Sequence, residues 1–205
     1  MENLFGIFFK SIFVDNMIFA YFLGMCAFIA VSKTMKTSMG LGLAVAFVLL
    51  LTVPITYLLN RYILREGALS WLGPSFAEID LSFLSFIMFI AIMAAIVQIL
   101  EMVIEKVAPA LHSSLGIFLP LIAVNCAIMG ACLFMQEREF ASLGEATAFA
   151  AGSGIGWWLA IIGLASIREK LIYSHIPESL KGLGITFITT GLMAIAFMSF
   201  MGIKI

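Results

Sequence analysis

Apolar residues run along this chain in six long stretches, at about 11–32, 39–59, 81–104, 115–135, 143–167 and 182–203. A helix that crosses a bilayer needs about 20 predominantly apolar residues, and each stretch meets that length. The polar intervals between them, 33–38, 60–80, 105–114, 136–142 and 168–182, are short. The pattern predicts an all-α integral membrane protein with six transmembrane helices in one membrane domain over residues 1–205. The first stretch reads as a retained helix and not a signal peptide. Glu2 precedes Lys10, no positive leading region is present, and no small-residue cleavage site follows.

Composition supports the same picture. Hydrophobic residues make up 63% and charged residues 11% of the 205, and the mean hydropathy is +1.15. A formal net charge of −1 gives no basis for nucleic-acid binding. With six helices both termini share one side. Lys10, Arg61, Arg65, Arg138 and Lys204 fall on that side, and Lys33, Lys36, Lys106, Arg168, Lys170 and Lys181 fall on the other. The positive-inside rule therefore places the termini outside the cytoplasm by a margin of a single residue.

So even a balance of charge suits two halves of opposite orientation. Cys26-Ala27-Phe28-Ile29-Ala30 and Cys126-Ala127-Ile128-Met129-Gly130 match 100 residues apart, on the first and fourth helices. Gly40-Leu41-Gly42 and Gly152-Ser153-Gly154-Ile155-Gly156 enrich the second and fifth helices in glycine. Three helices per half is an odd number, so the expected architecture is two inverted three-helix repeats, about 1–106 and 107–205. Inverted repeats place functional sites near the bilayer midplane, often at broken helices. A second likeness, between Glu101, Pro109, Leu115-Gly116-Ile117 and Glu169, Pro177, Leu183-Gly184-Ile185, has a period of 68 and reads as a repeated way of ending one helix and starting the next.

The candidate chemistry lies in Cys26 and Cys126. Paired thiols at membrane depth on matching helices point to a metal or redox centre, and two thiolates are half of the four-ligand set of an iron–sulfur cluster. The other half would come from a partner protein. Packing is the alternative role for both residues. Cys132 lies six residues beyond Cys126, with Ser32 at the matching position, and reads as packing. Pro120 and Asn125 precede Cys126 and predict an interrupted helix. Glu101, with Gln98 one turn before it, is a candidate for an ion path, because ionisable residues inside membrane segments are costly. Pairing with Lys106 or snorkelling to the interface is its alternative. Asp15-Asn16 reads as an interfacial or capping pair. Gly152 and Gly156 form a small-xxx-small pair for close helix packing and not a nucleotide loop. His112 and His175 have no evident metal partner.

Together, Phe22-Leu23-Gly24-Met25-Cys26, Ala30-Val31-Ser32-Lys33, Leu115-Gly116-Ile117-Phe118-Leu119-Pro120, Asn125-Cys126-Ala127, Ile167-Arg168-Glu169-Lys170 and Gly182-Leu183-Gly184-Ile185-Thr186 resemble a known family. It is the family of the E subunit of the bacterial Na+-translocating NADH:quinone oxidoreductase, with the A subunit of the Rnf electron-transport complex as a close relative. The resemblance covers the whole chain. It implies a multi-pass protein of the bacterial inner membrane, paired with a homologous D subunit of opposite orientation. It further implies a [2Fe–2S] cluster inside the membrane, to which Cys26 and Cys126 give two ligands and the partner gives two. NAD, flavins and quinone would bind elsewhere in the complex, and electron flow would drive Na+ export, with Glu101 on the sodium path. An Rnf component, a small inverted-repeat transporter with packing cysteines, and a structural scaffold are the alternatives.

Overall fold

The computed structural model describes residues 4–64, 84–107, 122–123 and 125–202, and all their regular structure is helical. The helices are α1 (Leu4–Phe13), α2 (Met25–Val31), α3 (Met35–Leu59, continued by a π turn over Asn60–Leu64), α4 (Ser85–Val107), α5 (Cys126–Glu137), α6 (Leu143–Leu171) and α7 (Leu183–Met198, continued by a 3-10 turn over Ser199–Gly202). Three are long and apolar enough to cross a membrane: α3 with its π turn at 30 residues, α4 at 23 and α6 at 29. The others are shorter apolar helices. Pro120, His112 and most of the 60–80 interval lie outside the described residues.

One expectation is corrected. The apolar stretch 11–32 is not one helix. α1 ends at Phe13, eleven residues of irregular backbone follow, and α2 begins at Met25. The apolar composition is real, but Met17, Ile18 and Phe19 in the break are buried against protein and not exposed to lipid. Irregular backbone at membrane depth survives where protein covers it and its polar groups find partners.

α6 is the hub. Its main partners are α3 and α1, and glycine spacing explains both contacts. Residues four apart share a helix face, whereas residues two apart point in nearly opposite directions. A Cβ on Gly152 would lie 2.6 Å from the Phe8 carbonyl oxygen, and one on Gly156 would lie 2.9 Å from that of Ile12, so this face seats α1. A Cβ on Gly154 would lie 2.9 Å from the Ala46 Cα, so the opposite face seats α3. Gly42 on α3 returns the arrangement by admitting the Trp158 ring. The register makes α1 parallel to α6 and α3 antiparallel to it. The glycine run is a two-sided packing device, as small residues are in membrane helices generally.

Gly152→Leu is therefore expected to destabilise the protein by at least about 1–3 kcal/mol, the usual cost of overpacking. Thermal unfolding in detergent would show it as a clear fall in midpoint. Gly191→Ala meets nothing within 4 Å and is the matched control. Equal midpoints for the two variants would contradict the packing account.

α5 lies against α3 and α4. α7 returns antiparallel to α6, with Met193 against Gly163 and Phe197 4.4 Å from the Phe19 ring. α4 packs one stripe, Ser85, Phe89, Met93 and Val97, and leaves Phe86, Ile87, Ile90, Ile99, Met102 and Val103 exposed.

Candidate functional site: two helix starts at mid-depth

Asn16 builds the break before α2. The Val14 and Asp15 amides both donate to the Lys10 carbonyl, which closes α1. The Asn16 side-chain amide then donates to the carbonyls of Ile12 at 3.0 Å and Gly156 at 2.9 Å. Its Oδ1 accepts from the amides of Ile18 at 3.0 Å and Phe19 at 3.4 Å. One fully buried side chain thus satisfies a turn and ties it to α6. Asp15 pairs with Arg138 at 2.8 Å, and the Arg138 guanidinium lies 5.3 Å from the centre of the Phe149 ring.

The second start lies at Asn125, whose backbone is extended. Its Oδ1 accepts from the Ala127 amide at 3.0 Å, and its carbonyl accepts from Ile128 and Met129. Asn125 is thus an N-cap, the residue that satisfies the otherwise orphaned first amides of a helix.

The two starts meet. Gly24 precedes α2 with φ +80°, a conformation in which only glycine is unstrained. A Cβ there would lie 2.8 Å from Asn125 Oδ1, 2.9 Å from Trp157 Nε1 and 3.0 Å from the Ala127 Cβ. Trp157 is midway between Leu143 and Leu171, the ends of α6. The junction therefore sits halfway along α6, one of the three helices long and apolar enough to cross a membrane.

From there the two short helices leave in opposite directions. α2 runs toward the C-terminal end of α6, where Arg168 donates to the Ile29 carbonyl at 2.9 Å and the Ser32 hydroxyl at 2.7 Å. Glu169 accepts from the Met35 amide at 2.8 Å and so caps α3. α5 runs toward the N-terminal end of α6, where Arg138 meets Phe149.

Cys26 is the second residue of α2 and Cys126 the first residue of α5. Both are exposed, whereas Cys132 is buried, with its sulfur 3.8 Å from the Thr56 hydroxyl. A packing cysteine is covered by its own chain, and neither member of the pair is. Cys126 opens onto an apolar groove of about 620 Å³, lined also by Leu23, Ile90, Met93, Asn125 and Met129. The N-terminal end of α5 lines this groove through Asn125 and Cys126. Among the described residues no group of three or more His, Cys, Asp or Glu comes together. Two open thiols fit half of a four-thiolate set, and nothing else described in this chain completes it.

Glu101 stands apart. It follows Val97 by one turn on the packed stripe of α4, is half-buried, and lies about 12 Å along the axis from Met93 in the groove. Gln98 faces outward. Glu101 has no hydrogen-bond or ion-pair partner among the described residues, Lys106 included.

Sequence reasoning missed three contributors. Gly24, Arg168 and Glu169 were legible only as parts of motifs. Their roles depend on contacts more than a hundred residues away, which periodicity does not carry.

Comparisons with known proteins show the family. The profile of a family described as "Rnf-Nqr subunit, membrane protein" matches residues 4–204. The E subunit of the Na(+)-translocating NADH-quinone reductase of Maridesulfovibrio salexigens is 57% identical over 204 residues, covering 100% of both chains. Its counterpart in Marinobacter nauticus is 56% identical over 205 residues, again covering 100% of both. That of Pseudomonas aeruginosa strain LESB58 is 55% identical over the full length of each. The chain belongs to the Rnf-Nqr family of membrane proteins, in the branch of the quinone reductase E subunits.

Proposed function

We propose that this chain is the electron-transferring E subunit of a Na+-translocating NADH:quinone reductase, with Cys26 and Cys126 as two ligands of a [2Fe–2S] cluster held inside the membrane. A homologous D subunit of opposite orientation supplies the other two thiolates. NAD, flavins and quinone bind elsewhere in the complex, and the assembly lies in the bacterial inner membrane with the termini of this chain outside the cytoplasm. The relatives compared above all carry the name of the quinone reductase component, which favours this complex over Rnf.

The observation that carries the reading is the meeting of Gly24 with Asn125 and Ala127 at mid-depth, which brings the starts of two opposed helices together with an exposed cysteine on each. Opposed half-helices at the midplane are what inverted repeats produce around a site. Bound there, the cluster would supply one-electron chemistry at mid-membrane. This chain's own contribution is to hold two thiolates open toward a partner, to keep irregular backbone away from lipid, and to fix both helix starts through Asn16, Gly24 and Asn125. A transporter with packing cysteines would have no reason to leave both thiols uncovered.

Iron content of the purified complex tests the assignment. Cys26→Ser and Cys126→Ser should each lower iron to the level of the double variant, and wild-type iron in either one would overturn it.

Glu101 continues the inward stripe of α4 without a partner among the described residues, and we assign it to the sodium path. Glu101→Gln should raise the Na+ concentration needed for half-maximal turnover about tenfold, equivalent to ~1.4 kcal/mol. An unchanged sodium dependence would remove Glu101 from the path.

A further inference from the structure

Two hydrogen-bond donors at the junction have no acceptor among the described residues. Asn125 spends its Oδ1 on the Ala127 amide, which fixes the orientation of the side chain and leaves its NH2 group as donor. That nitrogen is buried and unpartnered, and so is Trp157 Nε1. Both residues are fully buried. The two side chains lie side by side, since the position of a Gly24 Cβ is 2.9 Å from Trp157 Nε1 and 2.8 Å from the Oδ1 of Asn125. Buried donors are nearly always satisfied in native proteins, and an orphan calls for a reason such as an acceptor that arrives with a ligand.

Leu23, Met129 and Ala127 are apolar neighbours, and Asn125 lines the same groove as Cys126. Cys26 follows Gly24 by two residues and Cys126 follows Asn125 directly, so the sulfur atoms lie on the same two helix starts as these donors. We infer that Asn125 and Trp157 are positioning residues whose N–H groups donate to the sulfur atoms gathered at the cysteine junction and so set its reduction potential. This deepens the function proposed above and rests on it. A donor to sulfur stabilises the more negative, reduced state and raises the potential, so its removal lowers the potential.

The molecule contains its own control. Trp158 Nε1 is also buried and unpartnered, but its ring faces Gly42 on α3, away from the junction.

The test is a dithionite titration of the whole complex, followed by electron paramagnetic resonance, for Trp157→Phe, Asn125→Asp and Trp158→Phe. Asn125→Asp keeps the oxygen that caps α5 and loses the donor. Trp157→Phe and Asn125→Asp should each lower the reduced-to-oxidised ratio at fixed potential about tenfold, or about 59 mV for one electron, at wild-type iron content. Trp158→Phe should titrate as wild type. Wild-type potentials in both junction variants, or an equal shift in Trp158→Phe, would overturn the inference. Neither result would touch the cluster assignment, which fails if Cys26→Ser or Cys126→Ser retains the signal. If Trp157→Phe does not assemble, a wild-type potential in Asn125→Asp still overturns the inference, since its lost donor and its added charge would both lower the potential.

Discussion

Cys26→Ser should abolish NADH:quinone turnover in the assembled complex, and Cys126→Ser should do the same. The expected loss exceeds about a hundredfold, because even the outer partners of metal ligands cost about 10–100-fold when removed. The two losses should not add. Thiols that serve one centre act as a unit, so the double variant should be no worse than either single one. Cys132→Ser should keep turnover within about twofold, since a residue remote from the reacting groups contributes little to transition-state stabilisation. Its sulfur is buried beside Thr56 and takes no part in the junction. Quinone reduction by membranes carrying each variant at equal complex abundance makes the comparison. Turnover retained in either junction variant would reduce these cysteines to bystanders.

Gly24→Ala carries the largest expected effect on stability at a single backbone position. Two costs combine there. A side chain at φ +80° costs about 1–2 kcal/mol, and a Cβ pressed against Asn125, Trp157 and Ala127 adds about 1–3 kcal/mol of overpacking. The neighbours have little room to yield, since Trp157 is fully buried and Asn125 is fixed by its cap. The variant should lower the unfolding midpoint of the complex and lose iron, because both helix starts are displaced together. Gly191→Ala is the control, since Gly191 has no positive φ and a Cβ there meets nothing within 4 Å. Gly24→Ala should be clearly the worse of the two in thermal unfolding. Equal effects would mean that the junction is looser than the contacts at Gly24 imply.

Much of this was legible in the order of residues. Apolar length alone marks α3, α4 and α6, and the four-residue spacing of Gly152 and Gly156 marks a packing face. The likeness of the Cys26 and Cys126 segments was visible in the sequence, whereas Asp15-Asn16, read as an interfacial or capping pair, splits: Asn16 is buried and holds a turn, and Asp15 pairs with Arg138. The break before α2 was not. Met17-Ile18-Phe19 is as apolar as any helix segment, and burial in protein leaves the same composition as burial in lipid. Only Asn16 and Gly24 hinted at it, and each is tolerated singly within a membrane helix. Nor could periodicity reveal that Arg168 closes α2 while Glu169 opens α3, because those bonds join residues more than a hundred positions apart. What distinguishes Cys26 and Cys126 from Cys132 is exposure, and exposure is settled by tertiary packing.

Two helix starts halfway along α6 are proposed to present half of a cluster's ligands. Low-temperature electron paramagnetic resonance of the reduced, purified complex settles whether they do, with wild type compared against Cys26→Ser, Cys126→Ser and Cys132→Ser. One [2Fe–2S] signal should disappear in the first two variants and persist in the third. A signal of wild-type intensity in Cys26→Ser or Cys126→Ser would contradict that proposal.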